Sequence, residues 1–297
     1  MLGLGTAVNR GGFVGGAAPA ARLLDTFSGA AAAYSLRLLS NSYSGNAVKV
    51  RRASDNAELD IGFSNGSLDT SAIATHCGSN DGFVTTWYDQ SGNARNATQT
   101  NQAIQPKIYD GTTGTVLDNN NKPTLSVNND KLTLTNELFL RSNAPDAFLI
   151  SLVAEGTEGT SNGEYFGGVT SNSTNFFAAY GSSNNYRWRH TNDADTGNIN
   201  TSFAFSSPAP VAGEMSLLNL YIESSTKKMQ FNGQQLTVSG NTAWSSTSDY
   251  KFNLGVIGQP YAEALNLQVS EFVVWSNQSS TDLSEIQANI NTFYSIF

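Results

Sequence analysis

The chain has 297 residues, with 16 Lys and Arg against 24 Asp and Glu and a formal net charge of -8. Cations this few and this scattered cannot line a groove for phosphates, which excludes a nucleic-acid partner. Charged residues make up only 13% of the sequence, about half the usual share, and neutral polar residues and 27 Gly replace them. The surface this predicts, polar but weakly charged, suits extracellular, envelope or particle proteins.

In chain order, residues 1–20 (MLGLGTAVNRGGFVGGAAPA) lack the basic start and the unbroken apolar run of a secretion signal, so no signal peptide is expected. No stretch approaches the roughly 18 apolar residues of a membrane span. The glycines make this segment too flexible to pack alone, yet Leu2, Leu4, Val8, Phe13 and Val14 offer apolar points of attachment. The expectation is an extended anchoring arm that docks on another subunit, by side-chain burial or by strand addition. Arg22 to Ser40 carries a weak helical signal, whose alanine run reads equally well as a linker into the domain.

From Tyr34 onward, short apolar or alternating runs are separated by Gly, Asn, Asp and Ser clusters, the pattern of many short strands. Strands are predicted at 47–51, 59–63, 83–88, 131–134, 148–154, 165–169 and 176–180. Others fall at 186–190, 217–223, 228–231, 252–256 and 267–275. The clearest hairpin turns at Ser224 to Lys227, and Asn232-Gly233 then supplies the positive backbone dihedrals of a second tight turn. At the end of the chain, Leu283, Ile286, Ile290, Phe293, Tyr294 and Phe297 recur at helical spacing, with Asp282 and Glu285 resembling a capping box. This helix is expected to seal the sandwich, with an oligomer contact as the alternative. The fold class is all-β, two antiparallel sheets in a jelly-roll sandwich over 21–297, preceded by the arm and closed by a short C-terminal helix.

The candidate chemistry is sparse. Cys77 has no intrachain partner and reads as a packed hydrophobe, and with only His76 and His190 a zinc site lacks ligands. No cofactor is expected. The Asp118–Asn121 run and Asp193-Ala194-Asp195 do not match a calcium loop, although a few oxygens could gather there. Tyr186, Trp188 and His190 share one strand face by period two. Facing outward they would stack on a sugar ring, with Asp193 and Gln259 reading its hydroxyls; facing inward they would be core, with Arg187 and Arg189 exposed. Asp89, Ser91, Gly92 and Asn93 are turn formers whose side chains are expected to bond nearby backbone.

The stretches YSGNAVKVRRASDNAELDIGF and CGSNDGFVTTWYDQSGNARNATQ resemble the start of the catalytic domain of the alpha-L-arabinofuranosidase B family. The resemblance covers residues 34–130 and then fades into a likeness to concanavalin A-like and laminin-G-like sandwiches. It implies a retaining glycosidase with two carboxylates. The family's nucleophilic Glu would fall in YRWRHTNDADTG, which has no Glu, although Asp193 or Asp195 stands near that position. Its acid/base Asp would follow the strand end Leu254–Gly258, where Gln259 stands instead and cannot shuttle a proton. The family's paired cysteines are reduced to Cys77. With its glycine-rich arm, the chain also resembles capsid-associated, tail or fibre proteins of tailed bacteriophages. These features predict a non-enzymatic virion protein and homo-oligomer, held to other virion proteins by its arm and presenting weak sugar contacts to cell-surface polysaccharide. The alternative is a retaining hydrolase acting on arabinofuranosyl side chains or an envelope polysaccharide.

Overall fold

The computed structural model of the chain describes residues 21–141, 149–155, 165–167, 179–182, 185–191, 198–204, 211, 213–223, 226–240, 251–258, 266–276 and 278–297. A short helix α1 (Leu23–Thr26) leads into β1 (Ala30–Ser35), β2 (Val48–Arg52), β3 (Glu58–Ile61), β4 (Phe63–Ser64) and β5 (Ser67–Leu68). Helix α2 (Thr70–Cys77) precedes β6 (Gly82–Trp87), β7 (Ala97–Thr98), β8 (Lys107–Asp110), β9 (Gly114–Thr115), β10 (Leu125–Asn128) and β11 (Lys131–Arg141). The second half supplies β12 (Leu149–Glu155), β13 (Phe166–Gly167), β14 (Ala179–Ser182), β15 (Asn185–Thr191), β16 (Asn198–Ala204) and β17 (Met215–Glu223). Then come β18 (Thr226–Phe231), β19 (Gln234–Gln235), β20 (Thr237–Gly240), β21 (Lys251–Gly258), β22 (Asn266–Trp275) and helix α3 (Leu283–Tyr294).

The main sheet runs β13-β21-β11-β7-β6-β8-β10-β22-β12-β17-β18-β19, and β14-β15-β16-β20 form a second sheet. Tyr186 and Phe203 of that second sheet share one core with Val50 and Val84 from one half of the main sheet and Leu220 and Phe231 from the other. The main sheet therefore curls over itself. This is the antiparallel all-β sandwich with a short C-terminal helix that the alternating runs predict. The hairpin is tighter than expected: Glu223 pairs with Thr226, so Thr226 and Lys227 are already strand.

Arg22 to Ser40 is the main departure. Only Leu23–Thr26 is helical, and Ala30–Ser35 is a strand buried along its whole length, pairing Tyr34 with Phe272 of β22. Alanine's helix preference is worth less than about 1 kcal/mol per residue. A strand there places Ala32 and Tyr34 in one core and Ala30 and Ala33 in another, which outweighs that preference. Helix α2 has no counterpart among the predicted elements; Asp69 caps it by accepting from the Ala72 N–H at 3.0 Å.

The other edge of β1 is closed by side chains. The Asp89 carboxylate accepts from Ala33 N, Ser91 N, Ser91 Oγ and Arg95 N at 2.8–3.0 Å. Gln90 Nε2 donates to the Ser35 and Arg37 carbonyls at 3.0 Å, while Asn93 Nδ2 and Arg95 Nη1 reach the Ala31 carbonyl. Tyr-Asp-Gln-Ser-Gly-Asn is therefore a strap that satisfies an otherwise open strand edge. Trp87 before it is fully buried, and the Tyr88 hydroxyl donates to Asp60 in the open.

Helix α3 buries Leu283, Ile286, Ile290 and Tyr294 against Val153, Leu217, Val273 and Trp275 on the outer face of the sheet, forming a second core. Its N-terminus departs from the expected capping box. Asp282 makes no side-chain cap bond, and a 3-10 turn at Ser280–Asp282 opens the helix, with Ser279 Oγ accepting from Thr281 N. Beneath the helix, Arg37 makes a two-pronged ion pair with Glu271 at 2.7 and 3.0 Å, and Arg37 also bonds Asn289 of α3. Both charges are buried, so β1, β22 and α3 are joined by groups that cannot turn to water.

Candidate functional site

Tyr186 is 1% exposed and lies between Tyr165 and Phe231, with ring centroids 6.3 and 5.9 Å away. It cannot offer a ring face to a sugar, because the pleat that aligns β15 turns this position into the core. Trp188 and His190 follow on β15, where Trp188 pairs with Ala179 and Thr201, and His190 with Ile199. Their side chains, together with Asp193, Gln259 and the arm residues Leu2, Leu4, Val8, Phe13 and Val14, lie outside the described residues. Leu254 to Gly258, the strand end of the resemblance, belongs to β21, and Gly258 pairs with Lys131.

Lys227 is a residue that sequence reasoning missed. It alternates with Met229 and Phe231 on the inward side of β18 and is fully buried, and burial lowers its ammonium pKa to about 7. The signal was available in Thr-Lys-Lys-Met-Gln-Phe, where period two couples Lys227 to the apolar positions.

Asp118 turns its loop by accepting from Asn120 N and Lys122 N at 2.9 and 2.8 Å. Among the described residues no three His, Cys, Asp or Glu side chains gather as a metal site requires, and no helix is long and apolar enough to cross a membrane. Cys77 is buried against the β2-β6 sheet, and burial raises its thiol pKa.

A concave surface lies on the outer face of the β6-β8-β10 sheet, a groove of about 730 Å³. Strand register sets Phe83, Lys107 and Ser126 side by side as its floor, with the buried Arg51 next in the row. Arg51 pairs with Phe83, Phe83 with Lys107, and Lys107 with Ser126, one residue from each of β2, β6, β8 and β10. Their neighbours Val50, Val84, Ile108 and Val127 are core, which turns this row outward. Arg51 lies 5.0 Å and Lys107 5.8 Å from the Phe83 ring centre. Arg51 Nε donates to Gln105 at 2.7 Å, and Gln105 donates on to the Gln99 carbonyl.

The groove's charges are held in place. Lys107 Nζ is 2.7 Å from Asp81 and 3.3 Å from Asp110, and the Asp81 bond raises the lysine pKa. The N–H groups of Thr112 and Thr113, then Lys107, hold the Asp110 carboxyl below its ordinary range. Asp130, on the rim, accepts from Asn128 N at 2.9 Å, and burial raises its pKa. Such a surface can bind a polar ligand through an apolar ring and neutral hydrogen-bonding groups.

Residues 26–133 match the family profile described as "Alpha-L-arabinofuranosidase B, catalytic". No curated protein matches in sequence. The fold is similar to the crystal structure of an arabinofuranosidase complexed with arabinofuranosyl-alpha-1,2-xylobiose, with a TM-score of 0.61 and 16% identity. It is also similar to an arabinofuranosidase soaked with a cyclic sulfate inhibitor, with a TM-score of 0.61 and 17% identity. Each comparison covers 89% of this chain and 63% of the other, so the chain spans less than two thirds of the length of these relatives. Likeness at these identities shows a shared fold. The expectation of a non-enzymatic virion protein is corrected here: the family match and both structural matches are to glycoside hydrolases, not to particle proteins.

Proposed function

We propose that the chain is a glycoside hydrolase of the arabinofuranosidase type, releasing arabinofuranosyl units from a polysaccharide. The observation that carries this reading is the family match over residues 26–133, the part of the chain that holds the Arg-x-Ser-Asp and Tyr-Asp-Gln-Ser-Gly-Asn motifs. The shared sandwich fold supports it.

The reaction needs one carboxylate to attack the sugar carbon and another to protonate the departing oxygen, about 5–5.5 Å apart. Several described carboxylates are already engaged: Glu271 by Arg37, Asp89 by four donors, Asp81 and Asp110 by Lys107. In this reading the pair comes from acidic residues outside the described segments, with Asp193 or Asp195 as nucleophile.

Purified protein should release reducing sugar from arabinan or arabinoxylan, and Asp193→Asn or Asp195→Asn should lower kcat by about 10³-fold or more, with the fold intact by circular dichroism. No release by the unaltered protein after prolonged incubation would overturn the reading.

A further inference from the structure

We infer that the outer groove over β6, β8 and β10 is a binding site for a neutral oligosaccharide, a stretch of uncharged polysaccharide backbone held by side chains that do no chemistry on it. This goes beyond hydrolysis and does not depend on it, since a groove can hold a glycan whether or not the chain cleaves one.

Three observations converge on that ligand. The groove's polar side chains divide into two sets. Gln105 and Lys107 on the floor are consumed by internal bonds. Gln102, Thr115, Ser126 and Asn128, which line the same space, make no side-chain hydrogen bond among the described residues. These hydroxyl and amide groups, each both donor and acceptor, match the hydroxyls of a sugar chain. Phe83 also lines the groove, a partly exposed ring with Arg51 and Lys107 lying over it. Its exposed part adds apolar surface beside the free amides, which the C–H groups of a sugar can meet.

The third observation is charge. The groove and its margin set one partly exposed ammonium, Lys107, against the carboxylates of Asp81, Asp110 and Asp130. The ammonium is already matched and the Arg51 guanidinium is buried and held by Gln105 and Asn56, so a uronate or phosphate polymer would meet net negative charge and no exposed free cation. A neutral chain meets neither penalty. At about 730 Å³, the groove has the size of small-molecule sites and would seat a few sugar rings.

Titration calorimetry with xylohexaose, and in parallel with hexagalacturonate, tests the inference. The expected result is measurable binding of the neutral hexamer and at least tenfold weaker binding of the anionic one. Ser126→Trp projects from the half-exposed floor and fills the groove; it should weaken xylohexaose at least tenfold with an unchanged melting temperature. Asn128→Trp, at an exposed position, makes the same test if the first variant does not fold. Absent xylohexaose binding, binding that survives both folded variants, or equal binding of hexagalacturonate overturns the inference. Sugar release without groove binding removes this inference alone, and groove binding without sugar release leaves it standing while the hydrolase reading falls.

Discussion

Lys227 has the most distinctive environment of any single residue described. An ammonium on the inward side of β18, beside Met229 and Phe231, has lost most of its hydration, which lowers its pKa from the usual 10.5 to about 7. Between those values the unfolded chain binds a proton that the folded chain does not, so stability rises with pH across this window. The slope is at most about 1.4 kcal/mol per pH unit. Below pH 7 both states are protonated and the contribution is constant. Urea unfolding between pH 6.5 and 9.5 should show this rise, and Lys227→Met should remove it; parallel profiles for the two proteins would contradict the assignment. Asp89 illustrates what a residue list conveys and what it omits. Its place among turn formers was legible, because Asp, Ser, Gly and Asn in succession satisfy their own backbone. That its carboxylate also holds the Ala33 N–H, 56 positions earlier, depends on a chain path that no local pattern encodes.

Among the elements, the β18-β19 hairpin follows its sequence most closely. Asn232 and Gly233 both take positive φ, 46° and 75°, and Asn232 also binds the Leu217 backbone through its own N–H and Oδ1. A side chain at Gly233 would be strained there, and its Cβ would approach the Phe297 ring to 3.1 Å. Gly233→Ala should therefore cost about 1–2 kcal/mol in urea unfolding. Adding Phe297→Ala, which removes the ring but not the backbone strain, should restore part of it; a full loss in both proteins would assign the whole effect to the turn. Helix α3 was legible for a similar reason, since its apolar residues fall on one helical face whatever lies opposite. Strand β1 was not, because Ala30–Ala33 carries no period and only pairing with β22 makes it a strand.

Over the whole molecule, elements near the two ends of the described residues are built into one structure. Strand β1 pairs with β22, more than 230 positions away, and α3 covers both. Ending the chain at Ser276 would remove Leu283, Ile286, Ile290 and Tyr294 from the second core. At about 1.5–3 kcal/mol for each side chain, the loss is comparable to the ~5–15 kcal/mol that keeps a domain folded. The truncated chain should show no cooperative thermal transition and should aggregate by light scattering; a sharp melt within a few degrees of the full chain would show that the second core is dispensable.

The sequence by itself determined the all-β class, twelve of the twenty-two described strands, the amphipathic terminal helix and the resemblance to arabinofuranosidases, because alternation, turn chemistry and motif spacing are local and survive without a partner. Only the tertiary structure decided which face of each strand is inward. Period two sorts residues into two sets but does not say which set meets the core, so Tyr186 could be read as a sugar platform until packing placed it inside. For the same reason the groove was invisible along the chain. Phe83, Lys107 and Ser126 are about twenty positions apart in sequence, and they become one surface only when hydrogen-bond register sets three strands side by side.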